Sequence, residues 1–223
     1  MSAHISAELF RFFRELARHN DRAWFEANKA RYLEQVRDPL IRFVEAFGPR
    51  LKGISRHMVA DPRPSGGSLF RIYRDTRFSR DKRPYKTHAG LSFRHADGRD
   101  VHAPVFYLHL ESGTVFAAAG MWRPPAESVK QVRNAIVAHP KRWKRAIRAC
   151  PLRHDEDSLK RPPRGYAPDH PLVEDLKRQT FITSTPFTEE QACAAGFVDR
   201  FAEACRRGTP LMAFLTPAVG LRW

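Results

Sequence analysis

The amino-acid sequence predicts a single α+β domain, in which helices cover one face of an antiparallel sheet of about four to five strands. Apolar residues recur at helical spacing through the first fifty positions, and from about residue 69 the period changes to two. Helical spacing returns after residue 124, and one more strand pattern follows it. The chain has no repeat, low-complexity tract or linker, so we assign residues 1–223 to one domain.

The N-terminal third is predicted to be helical, with recognisable start and stop signals. Ser6 is a suitable N-cap for the first helix, and Asn20 or Asp21 for the second. Gly48 and Pro49 are expected to end the third helix. The predicted helices are 7–19, 22–37 and 38–47.

Alternation of apolar and polar residues predicts the strands, and turn residues join two of them as a tight hairpin at 111–114. The predicted strands are 69–75, 88–94, 104–111, 114–122 and 181–187.

The remaining segments are read as helices and one loop. A long helix begins at Pro124 and is broken near Pro140, and a capping box at 188–191 begins a final helix to about Arg206. Residues 150–170 are polar and rich in proline, which is typical of a long ordered loop. A short helix is expected at 171–178.

The strand pattern also predicts a polar face. Three predicted strands each have one fully apolar side, which must pack on helices, and one side of Arg, Tyr, His and acidic residues. We expect a ligand site on that polar side. Its residues are Arg71, Tyr73, Asp75, His88, Gly90, Ser92, Arg94, Tyr107, His109 and Glu111.

Residues 70–88, FRIYRDTRFSRDKRPYKTH, are the most informative stretch, and we name them the signature segment. It carries seven Arg or Lys and two Asp, interleaved with large apolar residues. The two acids cannot neutralise seven cations, which favours binding of an external anion. The alternative is a structural network of ion pairs that holds this segment to the sheet. A merely solvated face is the remaining alternative.

The anion hypothesis assigns roles to particular side chains. Arginine forks bind phosphate or carboxylate, and His and Asp can transfer protons. We expect Arg71, Arg74, Arg77, Lys82, Lys86, Tyr107 and Asn28 to bind the ligand, with Asp75, His88 and His109 as the catalytic candidates. Asn28 is also expected to hydrogen-bond the signature segment.

No metal site is predicted, because no local spacing of ligand residues supports one. The alternative is a set brought together by neighbouring strands: His88, His109 and Asp75, with Glu111 as a fourth ligand. No pattern in the sequence indicates a particular cofactor.

Four stretches together form a recognisable pattern: RIYRDTRFSRDKRPYKTH (71–88), NDRAWFEANKARY (20–32), AAAGMWRPP (117–125) and LKRPPRGYAPDHPL (159–172). On these motifs the sequence resembles a bacterial and fungal family of conserved proteins, domain of unknown function 2461, and the resemblance spans most of the chain. The family has no established activity. The resemblance implies that the residues chosen by alternation belong to a shared motif.

Composition limits the partners and the location. The net charge of +15 favours anionic partners, including nucleic acid, which we keep as the alternative function. No apolar run is long enough to span a membrane, the N-terminus has no signal-peptide pattern, and we expect a cytoplasmic protein. The three cysteines lack metal-motif spacing and are expected to be free thiols.

Overall fold

A computed structural model describes residues 4–98 and 103–223, and its helices lie close to the predicted segments. The predicted break at Pro140 and the capping box at Thr188 are present. A break with Asp38 as the helix cap was also expected, but the backbone stays helical through Arg37 and Asp38. The helices are α1 (Ala7–Arg18), α2 (Arg22–Ala27), α3 (Lys29–Tyr32), α4 (Asp38–Lys52), α5 (Ala126–Ala138), α6 (Pro140–Ala149), α7 (Val173–Lys177), α8 (Glu189–Cys193) and α9 (Phe197–Ala218).

The strands form one antiparallel sheet in the order β1-β2-β3-β4-β5, which confirms the α+β fold. Along β3 the burial alternates residue by residue, because one face of the sheet packs in the main core with α1, α4 and α9. The strands are β1 (Met58–Val59), β2 (His88–His95), β3 (Val105–Glu111), β4 (Thr114–Met121) and β5 (Phe181–Phe187).

The predicted strand at 69–75 is wrong as a continuous strand. Leu69 bridges Leu91 of β2, but further along Tyr73 bridges Tyr85 within the signature segment itself. The chain therefore leaves the sheet after residue 70 and pairs with its own return path. β1 was not predicted, because two residues are too few to show a period.

Two helix boundaries also differ from the prediction. The helix expected over 22–37 is interrupted at Asn28 and ends in a π-helical turn, Leu33–Arg37. Gly48 and Pro49 do not end α4, which continues to Lys52 and buries Leu51 in the core. Burial of that side chain offsets the helix hydrogen bond that proline removes.

The capping box begins a helix that is shorter than expected. α8 ends at Cys193, and Gly196 then adopts a left-handed backbone with φ of 77° before α9 begins. α9 extends beyond the predicted end at Arg206 and runs beneath β4 and β5 as part of both cores.

A second apolar cluster joins α5, α6 and α7 to the ends of β4, β5 and α9. Trp143 lies at its centre and is fully buried. All three cysteines are free, as expected. In the part of the chain that the structure describes, no helix has the length and apolar character needed to cross a bilayer. Arg99, the last residue of a turn that the sequence predicts at 96–99, and His102, expected to be an ordinary surface or loop histidine, lie outside the described residues.

Candidate functional site

Two neighbouring strands place a row of polar side chains on the sheet face opposite the main core. β2 and β3 pair with His88 opposite Glu111 and Gly90 opposite His109. Tyr107 lies two residues before His109 on the same side of β3. We call these five residues the polar floor; the strand alternation predicted them.

A hydrogen-bond chain runs along β3 through its polar side chains. Tyr107 Oη lies 3.2 Å from His109 Nδ1, and His109 Nε2 lies 3.1 Å from Glu111 Oε2. The hydroxyl of Thr87 donates to the other carboxylate oxygen at 3.3 Å. Because an ionised carboxylate only accepts, we assign the imidazole proton to Nε2, and Nδ1 then accepts from the tyrosine hydroxyl. The chain fixes the orientation of His109 and Glu111.

His88 completes the floor from β2. Its ring lies against that of His109, with the ring centroids 4.6 Å apart. Burial lowers the pKa of His88 to about 4, with a smaller contribution from His109. Burial also raises the pKa of Tyr107 to about 12. At neutral pH both side chains are therefore uncharged.

Phe70 forms a wall beside the floor and attracts two cations. Its ring centroid lies 6.2 Å from that of Tyr107, 5.6 Å from Lys86 Nζ and 5.7 Å from Arg94 Cζ. Gly90 is required below these rings, since a Cβ there would lie 2.5 Å from Tyr107 Oη and 3.1 Å from Phe70 Cδ2. Arg94 was expected on this polar face, whereas alternation assigned Phe70 to the apolar side, and its contact with Tyr107 corrects that expectation.

Lys86 is a half-buried cation without a carboxylate partner. Its Nζ donates to the backbone oxygen of Arg71 at 2.8 Å. Burial and, to a smaller extent, the Arg71 charge lower the pKa of Lys86. Within residues 4–98 and 103–223, no ion pair joins the side chain of Lys86 or that of Arg71 to an acid. These two predicted ligand-binding residues therefore leave positive charge unpaired beside the floor.

Three other arginines of the signature segment, Arg74, Arg77 and Arg83, are held by its two aspartates, whereas Arg80 has no ion pair among the described residues. Arg74 and Arg83 each lie 2.7 Å from Asp81 Oδ2, and Arg77 lies 2.7 Å from Asp75 Oδ2. Arg74 and Arg77, expected to bind the ligand, are thus engaged within the loop. Asp75, expected to transfer protons, pairs with Arg77 and does not join the histidines of the floor.

Acidification should loosen this loop, with the change confined to low pH. Hydrogen bonds from Arg77 lower the pKa of Asp75 from 3.8 to about 2, and bonds from Arg83, then Arg74, lower that of Asp81. A lowered carboxyl pKa stabilises the fold above the unfolded value and loses this effect as pH falls through the folded value. Hydrogen-exchange protection of the Arg77 amide, which donates to Asp75, should fall between about pH 4 and pH 2. Protection of the Arg83 amide, which donates to Asp81, should fall over a range that begins in the same window and extends to lower pH.

The control for this pH dependence is the protection of amides in β2 and β3, which lack such carboxylate acceptors. If the loop amides keep constant protection relative to the sheet amides throughout that window, the two aspartates do not hold the loop.

Two further predicted ligand residues make local contacts instead. Lys82 Nζ donates to Thr76 O at 3.0 Å, within the loop. Asn28 Nδ2 donates to Trp24 O at 2.9 Å, and its Oδ1 accepts from Arg31 at 2.9 Å. Asn28 therefore does not make the expected hydrogen bond to the signature segment.

Asn20 makes that contact. Its side chain accepts from Tyr85 N and donates to Tyr85 O, both at 3.0 Å. The Tyr85 ring is buried and stacks on Phe25 of α2, with the centroids 4.2 Å apart. The sequence presented Asn20 only as a helix cap, and nothing local to it indicates a partner 65 residues away.

Replacement of Asn20 by alanine should destabilise the protein by about 1–3 kcal/mol, because two part-buried backbone groups of Tyr85 lose their partner. Urea unfolding measures the change. Asn28→Ala is the matched control and should cost less, since its contacts remain within the N-terminal helices. Equal losses in the two variants would contradict this role for Asn20.

A cavity of about 380 Å³ lies between α2 and the signature segment. This position differs from the expected pocket over the polar face, although its lining includes Tyr73 and Arg74, which were expected at that pocket. The residues that line the cavity are Arg22, Glu26, Tyr73, Arg74, Thr76, Pro84 and Tyr85.

The loop after α6 adds a cation at the far edge of the polar face. Arg153 N donates to Ile182 O of β5 at 2.8 Å, which places this segment along the sheet edge. The Arg153 guanidinium lies 5.6 Å from the centroid of Phe116, whose ring stacks on His109 at 4.8 Å. In the sequence, Arg153 stands only within the polar, proline-rich segment expected to form a loop.

Comparison with known proteins agrees with the resemblance seen in the motifs. No curated protein matches the chain. A family model, described as conserved hypothetical protein (DUF2461), matches residues 8–214 and so covers most of the sequence. The chain therefore belongs to this family of conserved hypothetical proteins.

Proposed function

We propose that the polar face of the sheet binds a small anion of the phosphate or carboxylate class beside Lys86, Arg71 and His88. The supporting observation is the half-buried Lys86 ammonium, which has no acidic partner among the described residues and lies next to a second cation. A partly desolvated charge is costly unless it is compensated, and an external anion would compensate it.

The floor suits an anion in other respects. Because His88 is neutral at pH 7 and its side chain has no hydrogen-bond partner in the described part of the chain, its N–H is available to a ligand. Arg94 lies on the same Phe70 ring as Lys86 and adds positive charge. His88 and His109 are the groups of this floor that would exchange protons with a bound substrate. We leave Asp75 out of the proposal because Arg77 occupies its carboxylate.

The experiment is thermal melting and calorimetric titration with phosphate at low and high salt. Specific binding stabilises the fold by mass action, by about 2.7 kcal/mol at one hundred times the dissociation constant. We expect a salt-tolerant increase in melting temperature for the natural protein, and its loss in Lys86→Gln and Arg71→Gln.

Lys130→Gln, which removes an exposed lysine of α5, is the matched control and should retain the shift. A phosphate effect of equal size in Lys86→Gln and in the natural protein would contradict the proposal. Melting without ligand shows whether each variant is folded.

Nucleic-acid binding is the second candidate, and the exposed ring of Phe78 favours it. This side chain is 95% exposed at the tip of the cation-rich loop, with the Arg77 guanidinium 5.8 Å from its ring centroid. Exposed aromatic rings beside cations can stack on bases. A shift produced only by oligonucleotides, abolished by salt and by Phe78→Ala, would support this candidate over the small anion.

The ion pairs of Arg74, Arg77 and Arg83 support a structural role for that part of the signature segment. The proposal therefore separates the ion-paired arginines of the loop, Arg74, Arg77 and Arg83, from the unpaired cations beside the floor, Arg71 and Lys86.

A further inference from the structure

We infer that His88, His109 and Glu111 form a binding site for a divalent transition-metal ion, with Zn²⁺ as the first choice. The inference does not depend on anion binding, although His88 and His109 belong to the same floor. Imidazole nitrogens and a carboxylate oxygen are typical ligands of this ion.

Strand pairing brings the three ligands together. His88 lies directly opposite Glu111, and His109 lies two residues before Glu111 on the same face of β3. Directly opposed and diagonal positions of an antiparallel pair are within reach of long side chains. This convergence uses two rigid strands and no flexible loop.

The donor atoms are already close to coordination geometry. One ligand atom from each residue lies within 4.8 Å of the other two. A tetrahedral ion with bonds of about 2.0–2.2 Å holds its ligands roughly 3.3–3.6 Å apart. The 3.1 Å separation of His109 Nε2 and Glu111 Oε2 is near that length, so small side-chain rotations suffice.

Two of the proposed ligand side chains, His109 and Glu111, already have hydrogen-bond partners that would orient them. Metal-bound histidines usually hold their second nitrogen in a hydrogen bond, and Tyr107 Oη lies 3.2 Å from His109 Nδ1. When a metal takes Nε2, the imidazole proton moves to Nδ1 and is donated to the tyrosine oxygen. The Thr87 hydroxyl holds the second oxygen of Glu111 in the same way.

The surroundings leave room for a further ligand. All three residues are half-buried, and the Glu111 side chain is 38% exposed, so a fourth position can face solvent. Three protein ligands with one open position are typical of catalytic zinc sites. The Lys86 charge near His88 opposes a second cation, and the Glu111 carboxylate offsets it.

No other trio of His, Cys, Asp or Glu within residues 4–98 and 103–223 brings its donors this close together. The sequence prediction of no metal site relied on local spacing, and its alternative set placed Asp75 among the ligands. The structure retains the two histidines and Glu111 of that set and leaves out Asp75, which is bound by Arg77.

The test is calorimetric titration of the chelator-treated full chain with Zn²⁺, in a phosphate-free buffer, with Co²⁺ absorption spectra as a second readout. We expect one ion per chain and visible bands typical of a four-coordinate Co²⁺ site. Tyr107→Phe should weaken binding by roughly 10–100-fold, and Glu111→Gln and His109→Ala by more than that.

His57→Ala is the matched control and should bind Zn²⁺ as the natural protein does. His57 stacks on His95 with the ring centroids 5.5 Å apart, but the two belong to no close trio with an acid in the described chain. The isosteric Glu111→Gln keeps the proposal testable if His109→Ala does not fold.

Absence of binding by the natural protein would overturn the inference. So would binding that survives Glu111→Gln, or binding that His57→Ala abolishes. Because no phosphate is present, none of these outcomes depends on whether the polar face also binds an anion.

Discussion

Replacement of Gly120 by alanine is expected to destabilise the fold by at least about 3 kcal/mol. Gly120 lies in β4 opposite Ile182 of β5, with φ of 131°, a backbone conformation that L-residues rarely adopt. A Cβ at this position would lie 1.9 Å from the backbone oxygen of Phe181. Backbone cannot move aside as a flexible side chain can, so β4 and β5 would have to separate.

Gly113→Ala is the control that separates strain from collision. Gly113 also has a positive φ, 78°, but a Cβ there would meet nothing within 4 Å. The loss of stability caused by Gly113→Ala should be limited to backbone strain, about 1–2 kcal/mol. Urea unfolding of both variants measures the difference. If the Gly120 variant lost no more stability than the Gly113 variant, the close approach of the two strands would not be a constraint.

The second large effect is expected for Trp143→Ala, at about 3–5 kcal/mol. The side chain is fully buried in the cluster between α6 and α9, with its ring centroid 5.0 Å from that of Phe214 and 6.1 Å from that of Phe181. Its Nε1 donates to Asp175 Oδ2 at 2.9 Å. Truncation would leave both a large cavity and a carboxylate without that donor.

Trp122→Ala is the matched control, because this tryptophan is 63% exposed and contacts Arg123 at the surface. Its replacement should cost less than about 1 kcal/mol. Chemical unfolding monitored by far-UV circular dichroism compares the two. Similar losses in both variants would mean that the second cluster contributes little to stability.

The sheet could be predicted from the sequence wherever a strand has one buried face. β3 alternates strictly, so its apolar and polar sides are readable, and β5 was predicted with the observed bounds. The segment after Phe70 also alternates, but its hydrogen-bond partner is the returning chain at 84–86. Alternation does not distinguish a strand of the sheet from a ladder within a loop.

The candidate site could be predicted only in part, because alternation shows which side chains share a face but not which groups they contact. Which side chains share the polar face follows from alternation, but the register that sets His88 opposite Glu111 depends on a long connection between β2 and β3. The pairing of Arg74 with Asp81 and the contact of Asn20 with Tyr85 are tertiary. A count of charges indicated an excess of cations without showing which ones remain unpaired.

The division of the signature segment has a consequence for how its variants behave. Substitutions at Arg74 or Asp81 remove internal pairs and should alter the order of the loop. Substitutions at Lys86 or Arg71 remove charge that has no acidic partner in the described chain, and should alter ligand binding with little loss of stability.

The most direct test of anion binding on the polar face is a crystal structure of the protein soaked with selenate, whose selenium can be located by anomalous scattering. Our account predicts a selenate within hydrogen-bond distance of Lys86 Nζ and His88, absent from crystals of Lys86→Gln. Selenate found only in the cavity between α2 and the signature segment, or bound equally in the variant, would contradict it.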